Sequence, residues 1–127
     1  AGLLLITAQE IYVFHDAPAA FKIEHDAEYT SPAEEPSLSD ARLVQLGRPP
    51  RPLIALTDTR NRALEIIERS SRRLTERLAF AVFEDPGFAG QHGGMEPREV
   101  ASGDFNGDGT GDLALLTHDK LIIYLGE

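Results

Sequence analysis

Within "SGDFNGDGTGDLALL" (102–116), oxygen-bearing side chains stand at alternate positions: Asp104, Asn106, Asp108, Thr110 and Asp112. Gly107, Gly109 and Gly111 separate them, and an apolar run follows at once. Hard cations such as calcium take about six to eight oxygens at about 2.3–2.6 Å. Ligands at alternate positions of a tight loop wrap a sphere of that size, and Thr110 would offer its main-chain carbonyl. Glycines permit the positive φ angles that such wrapping needs. Without a cation, three carboxylates in so short a stretch repel one another. The expected metal ligands are therefore Asp104, Asn106, Asp108, Thr110 and Asp112, with Ca2+ as the cofactor. Magnesium fits less well, because it takes fewer protein ligands and keeps its waters. The competing reading is a plain acidic turn, since Asp-Gly and Asn-Gly pairs are favoured in hairpins. An EF-hand starts the same way but needs a glutamate at its twelfth position and a helix on each side. Counted from Asp104, that position is Leu115, inside a strand-like run. The loop is expected to join two strands.

Other catalytic sets are weaker. Three of the four histidines precede an aspartate, at His15, His25 and His118. Metal-dependent phosphohydrolases need several ligands converging from helices, whereas these pairs sit at expected strand ends and turns, where His-Asp suits turn chemistry. His92 stands alone in "GQHGG". No serine occupies a Gly-x-Ser-x-Gly turn. "GFAGQHGG" lacks the lysine and the strand-to-helix setting of a phosphate-binding loop. No catalytic residue and no enzyme activity are expected.

A chain of 127 residues is long enough for one domain and one core. An apolar content of 42 % with 26 % charged residues is ordinary for a globular protein. No apolar run reaches the roughly 18 residues of a membrane-spanning helix, so no membrane insertion is expected. The opening "AGLLLITAQEIYVF" has neither a basic start nor a cleavage site. A start at Ala1 rather than Met suggests a mature, processed or excised segment. The absence of cysteine removes disulfides and thiolate chemistry. The net charge of −9 argues against nucleic acid, whose binding relies on a basic stripe. That charge is uneven: residues 1–40 carry −7, 41–80 carry +5 and 81–127 carry −7. The arginine-rich middle is either a solvated face or one that meets an anionic partner.

The acidic loop needs strands to hold it, and the chain offers them as a repeat. "GLLLIT" (2–7), "PLIALT" (52–57) and "DLALLT" (112–117) align without gaps. Each is followed by a polar break and a second apolar run: "EIYVF" (10–14), "ALEII" (63–67) and "KLIIY" (120–124). Such pairs read as hairpins. "FKIEH" (21–25), "ARLVQL" (41–46), "LAFAVFE" (78–84) and "EVASGDF" (99–105) are further strand candidates, which gives three, four and three strands. Residues 30–40 and 85–97, rich in Pro, Gly and acids, read as loops. "ALEIIERSSRRLTERLAFA" (63–81) is expected to form two strands around "RSSRR", with an amphipathic helix as the alternative.

"VASGDFNGDGTGDLALLTHDKLIIYLG" (100–126) closely resembles the FG-GAP or VCBS repeat, the blade unit of integrin-α-type β-propellers. The resemblance covers the last quarter of the chain and implies the same five calcium ligands. The other two repeats lack the motif. In the middle one, "QLGRPPRPL" (45–53) has no acid and should bind no metal. The resemblance implies an all-β fold: a partial β-propeller of about three antiparallel blades, at 1–29, 41–84 and 99–127, forming one domain. Blades have four strands and rings four to eight blades, so more of the ring is expected to lie outside this sequence, or copies or a partner chain to complete it. A freely soluble monomer is not expected. The implied function is a calcium-stabilised binding or scaffold module outside the cell or in the periplasm, taking a protein or carbohydrate ligand on loops 30–40 and 85–97. The alternatives are a non-catalytic part of a larger exported enzyme, or a structural subunit that assembles through open strand edges.

Overall fold

The structure is a computed structural model, and it describes residues 2–15, 26–82, 97–117 and 120–127. The described residues form strands and turns, with no helix and hence none long and apolar enough to cross a membrane. Ten strands run in chain order: β1 (Gly2–Ile6), β2 (Glu10–His15), β3 (Ala27–Thr30), β4 (Leu38–Leu46), β5 (Arg51–Asp58), β6 (Ala63–Ser70), β7 (Arg73–Ala81), β8 (Glu99–Gly103), β9 (Asp112–Leu116) and β10 (Leu121–Tyr124). They pair only with sequence neighbours, in three antiparallel sheets ordered β1-β2-β3, β4-β5-β6-β7 and β10-β9-β8. The strand numbers of three, four and three follow the sequence reading. The third strand of the first sheet is, however, "AEYT" at 27–30; "FKIEH" lies outside the described residues.

The segment 63–81 forms two strands, not a helix. Its β6–β7 turn places Ser71 at φ 55°. Alternation along β6 turns Leu64 and Ile66 to one face and Glu65 and Ile67 to the other, and the register break opposite Ile66 and Ile67 falls on β7, where it sends Leu74 to the side of the first sheet and Phe80 to that of the third. β4 starts at Leu38, three residues ahead of the expected boundary, and takes residues 38–40 from the expected loop.

The sheets stack face to face, with the four-stranded sheet in the middle. Ile11, Val13, Ala27 and Tyr29 of the first sheet pack against Leu38, Ile54, Leu56, Ile67 and Leu74 of the second. The opposite face of the middle sheet, through Val44, Ala55, Leu64 and Ile66, packs on Val100, Leu113 and Leu115 of the third. Being covered on both sides explains why "LIAL" and "LEII" read as continuous runs rather than as alternation.

The aligned threonine-ended runs do not face the same way. Leu53 and Ala55 point from the middle sheet towards the third, while their aligned partners Leu113 and Leu115 point back at them. Leu3 and Leu5, aligned with the same residues, are exposed on the outer face of the first sheet. Side chains alternate with a period of two, so a shift of one residue exchanges the faces. The three runs share composition and position, but not a residue-by-residue orientation.

The middle and third sheets are also laced through their backbones. Gly47 and Gly111 exchange N–H···O bonds of 3.1 and 3.0 Å. The Gln45 amide donates to Ser102 Oγ at 2.8 Å. Only glycine fits at 111, because a Cβ there would drive into the main-chain carbonyl of Gln45.

The three-stranded sheets leave parts of the middle sheet uncovered. On the side of the first sheet, β3 lies against β7; on the side of the third sheet, among the described residues, β7 is met only at its end, where Phe80 touches Tyr124 of β10, and Leu78 is 54 % exposed. At the other edge β8 covers β4, whereas the face of β4 towards the first sheet leaves Leu43 80 % exposed. A cleft therefore opens at each place, of about 570 Å³ beside β10 and about 640 Å³ beside β1.

Candidate functional site

The acidic loop connects β8 to β9, as its sequence requires. It is built on the side chain of Asp104. Asp104 Oδ1 accepts the amides of Gly107 and Asp108 at 2.7 and 3.1 Å, and its Oδ2 accepts that of Gly109 at 2.8 Å. Asn106 Oδ1 accepts the Asp108 amide at 3.0 Å, and Asp108 Oδ1 that of Thr110 at 2.7 Å. Asn106 Nδ2 donates to Asp108 Oδ2 at 2.8 Å. These overlapping side-chain turns need the chain to reverse at each glycine, and Gly107 and Gly109 adopt φ of 80° and 82°.

Asp112 closes the loop from below. It is fully buried and accepts the Phe105 amide at Oδ2 and the Gly126 amide at Oδ1, both at 2.8 Å. One carboxylate thereby ties the start of the loop to the segment after β10. The hydroxyl and amide of Thr110 and the amide of Asn106 hold the Asp108 carboxyl below the usual aspartate range, with a smaller contribution from the charge of Arg48.

Asp104, Asn106 and Asp108 are exposed, while Thr110 and Asp112 are buried. Among the described residues no three carboxylate or imidazole groups converge as a metal centre would require. Each of the loop's carboxylates is turned onto amides instead. An ionised carboxylate has about four acceptor sites, so Asp104, with three bonds, and Asp112, with two, keep unused lone pairs. In donor chemistry the set fits a hard cation, supplied by carboxylate, amide and backbone oxygens.

The matching connection of the middle sheet, Gly47 to Pro50, has no acid and a cis Arg48–Pro49 bond. Two buried acids that the sequence reading did not single out lie elsewhere in that sheet. Glu65, 2 % exposed, accepts Ser31 Oγ at 2.6 Å and the Tyr29 hydroxyl at 2.8 Å; the same hydroxyl lies 3.1 Å from Glu76 Oε2. Burial, the hydrogen bond to Glu65 and the charges of Glu65 and Glu76 push the Tyr29 phenol well above its ordinary value. Asp58 is fully buried at the β5–β6 turn. Burial pushes its carboxyl up, but bonds from the Asn61 side chain and from the Ser37, Asn61 and Arg60 amides outweigh burial and hold it below the usual range. An acid inside an apolar run is a visible signal of a buried carboxylate. Its donors, Tyr29 and Ser31, lie too far along the chain to be paired with it by inspection.

Ser31 and Ser37, both in the expected recognition loop at 30–40, are thus committed to holding Glu65 and Asp58. Residues 83–96, most of the second expected loop, together with Asp16, His25 and the His118–Asp119 pair, lie outside the described residues, as does the side chain of His15. No protein family, curated protein or solved structure matches this chain.

Proposed function

We propose that the chain is a calcium-stabilised binding and scaffold segment: consecutive blades of a propeller of the FG-GAP/VCBS type, working outside the cell and without catalytic activity. The observation that carries this reading is the loop between β8 and β9. Its alternating Asp104, Asn106 and Asp108 side chains remain exposed around two positive-φ glycines, with buried Asp112 beneath them. A cation there would take the remaining lone pairs of Asp104, Asp108 and Asp112, the Asn106 oxygen and the Thr110 carbonyl. Its role would be structural, cancelling the mutual repulsion of the acids and fixing the edge between two strands. The stacking of three-, four- and three-stranded sheets in one lateral order agrees with blades in sequence.

The test is a thermal melt of chelator-stripped protein with and without millimolar calcium, with magnesium as control. A cation at about 100 times its dissociation constant adds about 2.7 kcal/mol, or a rise of about 10 °C for a domain of this size. The rise is expected with calcium alone and is absent in Asp108→Ala. Identical melts under all conditions would reduce the loop to an acidic turn.

A second reading, a subunit that assembles with copies of itself, is favoured by the apolar outer face of the third sheet. There Leu116, Leu121 and Ile123 are all exposed. Sedimentation of the calcium-loaded protein at several concentrations distinguishes a monomer from such an assembly.

A further inference from the structure

We propose that the end of the middle sheet formed by the β4–β5 and β6–β7 turns binds an acidic polysaccharide, one sulfate or carboxylate of which sits between the two hairpins. This gives the binding module a ligand class; it rests on the binding part of the reading above and does not require the cation. Both turns are complete within the chain. The flanking sheets pack on the faces of the middle sheet, so further blades stacked beside them would not occupy its ends.

Strand direction alternates along a meander, so the turns after β4 and β6 emerge at one end and the turn after β5 at the other. The first turn carries Arg48 and leads into Arg51; the second is flanked by Arg69, Arg72 and Arg73. All five are exposed. The four strand ends that carry them span about 14 Å at the usual inter-strand spacing. The two hairpins part here. Pairing of β4 with β5 runs on to Leu46–Arg51 and that of β6 with β7 to Ser70–Arg73, whereas β5 and β6 pair only from Ile54–Ile67 inward. Residues 51–53 and 68–70 thus lie beyond the shared ladder, beside a hollow of about 390 Å³ lined by Arg48, Arg51, Leu53, Glu68 and Arg77. Alternation puts Arg51 on the face of Leu53 and Ser70 on that of Ile66, and Arg73 pairs with Ser70. Two guanidinium-bearing residues therefore flank a hydroxyl on the side towards the third sheet.

The charge of the occupant follows from what these arginines lack. Glu68 is the one acid within 47–52 and 68–73, and it is paired with Arg77. Arg69 Nε donates to the Ser71 carbonyl at 3.3 Å, and the charge of Arg48 acts on Asp108. Among the described residues no ion pair engages Arg51, Arg72 or Arg73, whereas Arg60 at the opposite end is paired with Glu35. Such a cluster concentrates anions, and the guanidinium fork matches a planar or tetrahedral oxyanion with two parallel bonds. Nucleic acid fits less well. Single strands stack their bases on aromatic side chains, and neither 47–52 nor 68–73 contains one. A long duplex would run from Arg48 onto the acidic loop that the Gly47–Gly111 bridge holds beside it. A sugar chain instead offers hydroxyls to exposed Ser70 and Ser71 between its charges.

The test uses the full chain and a fluorescein-labelled heparin oligosaccharide, read by anisotropy in chelator at about 0.1 M salt, where charges more than about 10 Å apart are screened. Unlabelled polygalacturonate, which has carboxylates alone, and a single-stranded oligodeoxynucleotide of equal charge serve as competitors. Binding is expected, with competition by polygalacturonate if a carboxylate suffices and none if the seat requires sulfate. Arg51→Glu and Arg73→Glu, both at exposed positions, each weaken binding about tenfold or more. Arg60→Glu makes the same change in net charge one eight-residue strand away, about 26 Å, and leaves binding within about twofold. The proposal is overturned if the heparin oligosaccharide does not bind, if Arg60→Glu weakens binding as much as Arg51→Glu, or if the oligodeoxynucleotide competes as well as unlabelled heparin oligosaccharide. A calcium-dependent melt alongside such a failure would leave the cation site standing without this ligand.

Discussion

Two connections meet at the paired glycines Gly47 and Gly111, and they solve one problem differently. The turn after β4 passes from one strand to the next with four residues, an arginine, two prolines and no acid. The loop after β8 takes eight residues and three aspartate-type anchors, Asp104, Asp108 and the buried Asp112 beyond it. Both deliver the chain into an apolar strand of the same stack. The acids are therefore not a requirement of the connection. They wire the longer loop instead, each carboxylate accepting backbone amides, a role that the shorter turn does without.

The comparison can be broken most severely at the lacing itself. Gly111→Ala forces a Cβ against the Gln45 carbonyl, and thermal and denaturant melts should show a loss of about 3 kcal/mol or more, or failure to fold. Next in size, Asp112→Ala leaves the buried amides of Phe105 and Gly126 without their acceptor. The expected loss is about 2–4 kcal/mol by urea denaturation, with Asp112→Asn intermediate because one acceptor oxygen survives. Asp104→Ala, exposed but accepting three amides, should cost about 1–2 kcal/mol in the chelated protein.

Acid titration sharpens the contrast between the sheets. The folded-state value of Asp58 is lowered, so its contribution is complete above the ordinary aspartate value of about 3.9 and is lost as pH falls below it. Melting temperature against pH should show an acid limb that flattens in Asp58→Asn. Tyr29 is raised, so its contribution is complete below the ordinary tyrosine value of about 10 and is lost as pH climbs above it. Tyr29→Phe should flatten the alkaline limb and lower stability at neutral pH by about 1–3 kcal/mol, since Glu65 loses a donor. Smallest of all, Glu35→Ala removes only an exposed pair with Arg60 and should change the melt by less than about 0.5 kcal/mol.

Much of this architecture was legible because hydrophobic patterning and turn residues agree along the chain. "LIAL", "LEII" and "LIIY" could be read as strands, and Ser70–Ser71 between two such runs marked a turn where helical periodicity competed. β3 was harder: four residues with a glutamate and a threonine carry little signal until Tyr29 is seen to reach Glu65. The acidic loop was visible as spacing, but its wiring was not. That Asp104 holds three amides, or that Asp112 reaches Gly126, depends on where the chain returns after β10. The orientation of the repeats was misleading for a similar reason. Composition survives a one-residue displacement that exchanges the faces of a strand, so Leu53 and Leu113 align as text and confront each other in space.

Pairing confined to sequence neighbours also has a kinetic consequence. Each sheet is a meander whose ladders close over short loops, so the entropy of bringing distant segments together is met only when sheets dock. Proteins rich in local pairings fold faster than sandwiches of equal size that interleave remote strands. The middle meander would be the natural nucleus, since both of the others pack on it, one on each face. Its hairpins should acquire hydrogen-exchange protection first during refolding, and the two flanking meanders should follow without either waiting for the other.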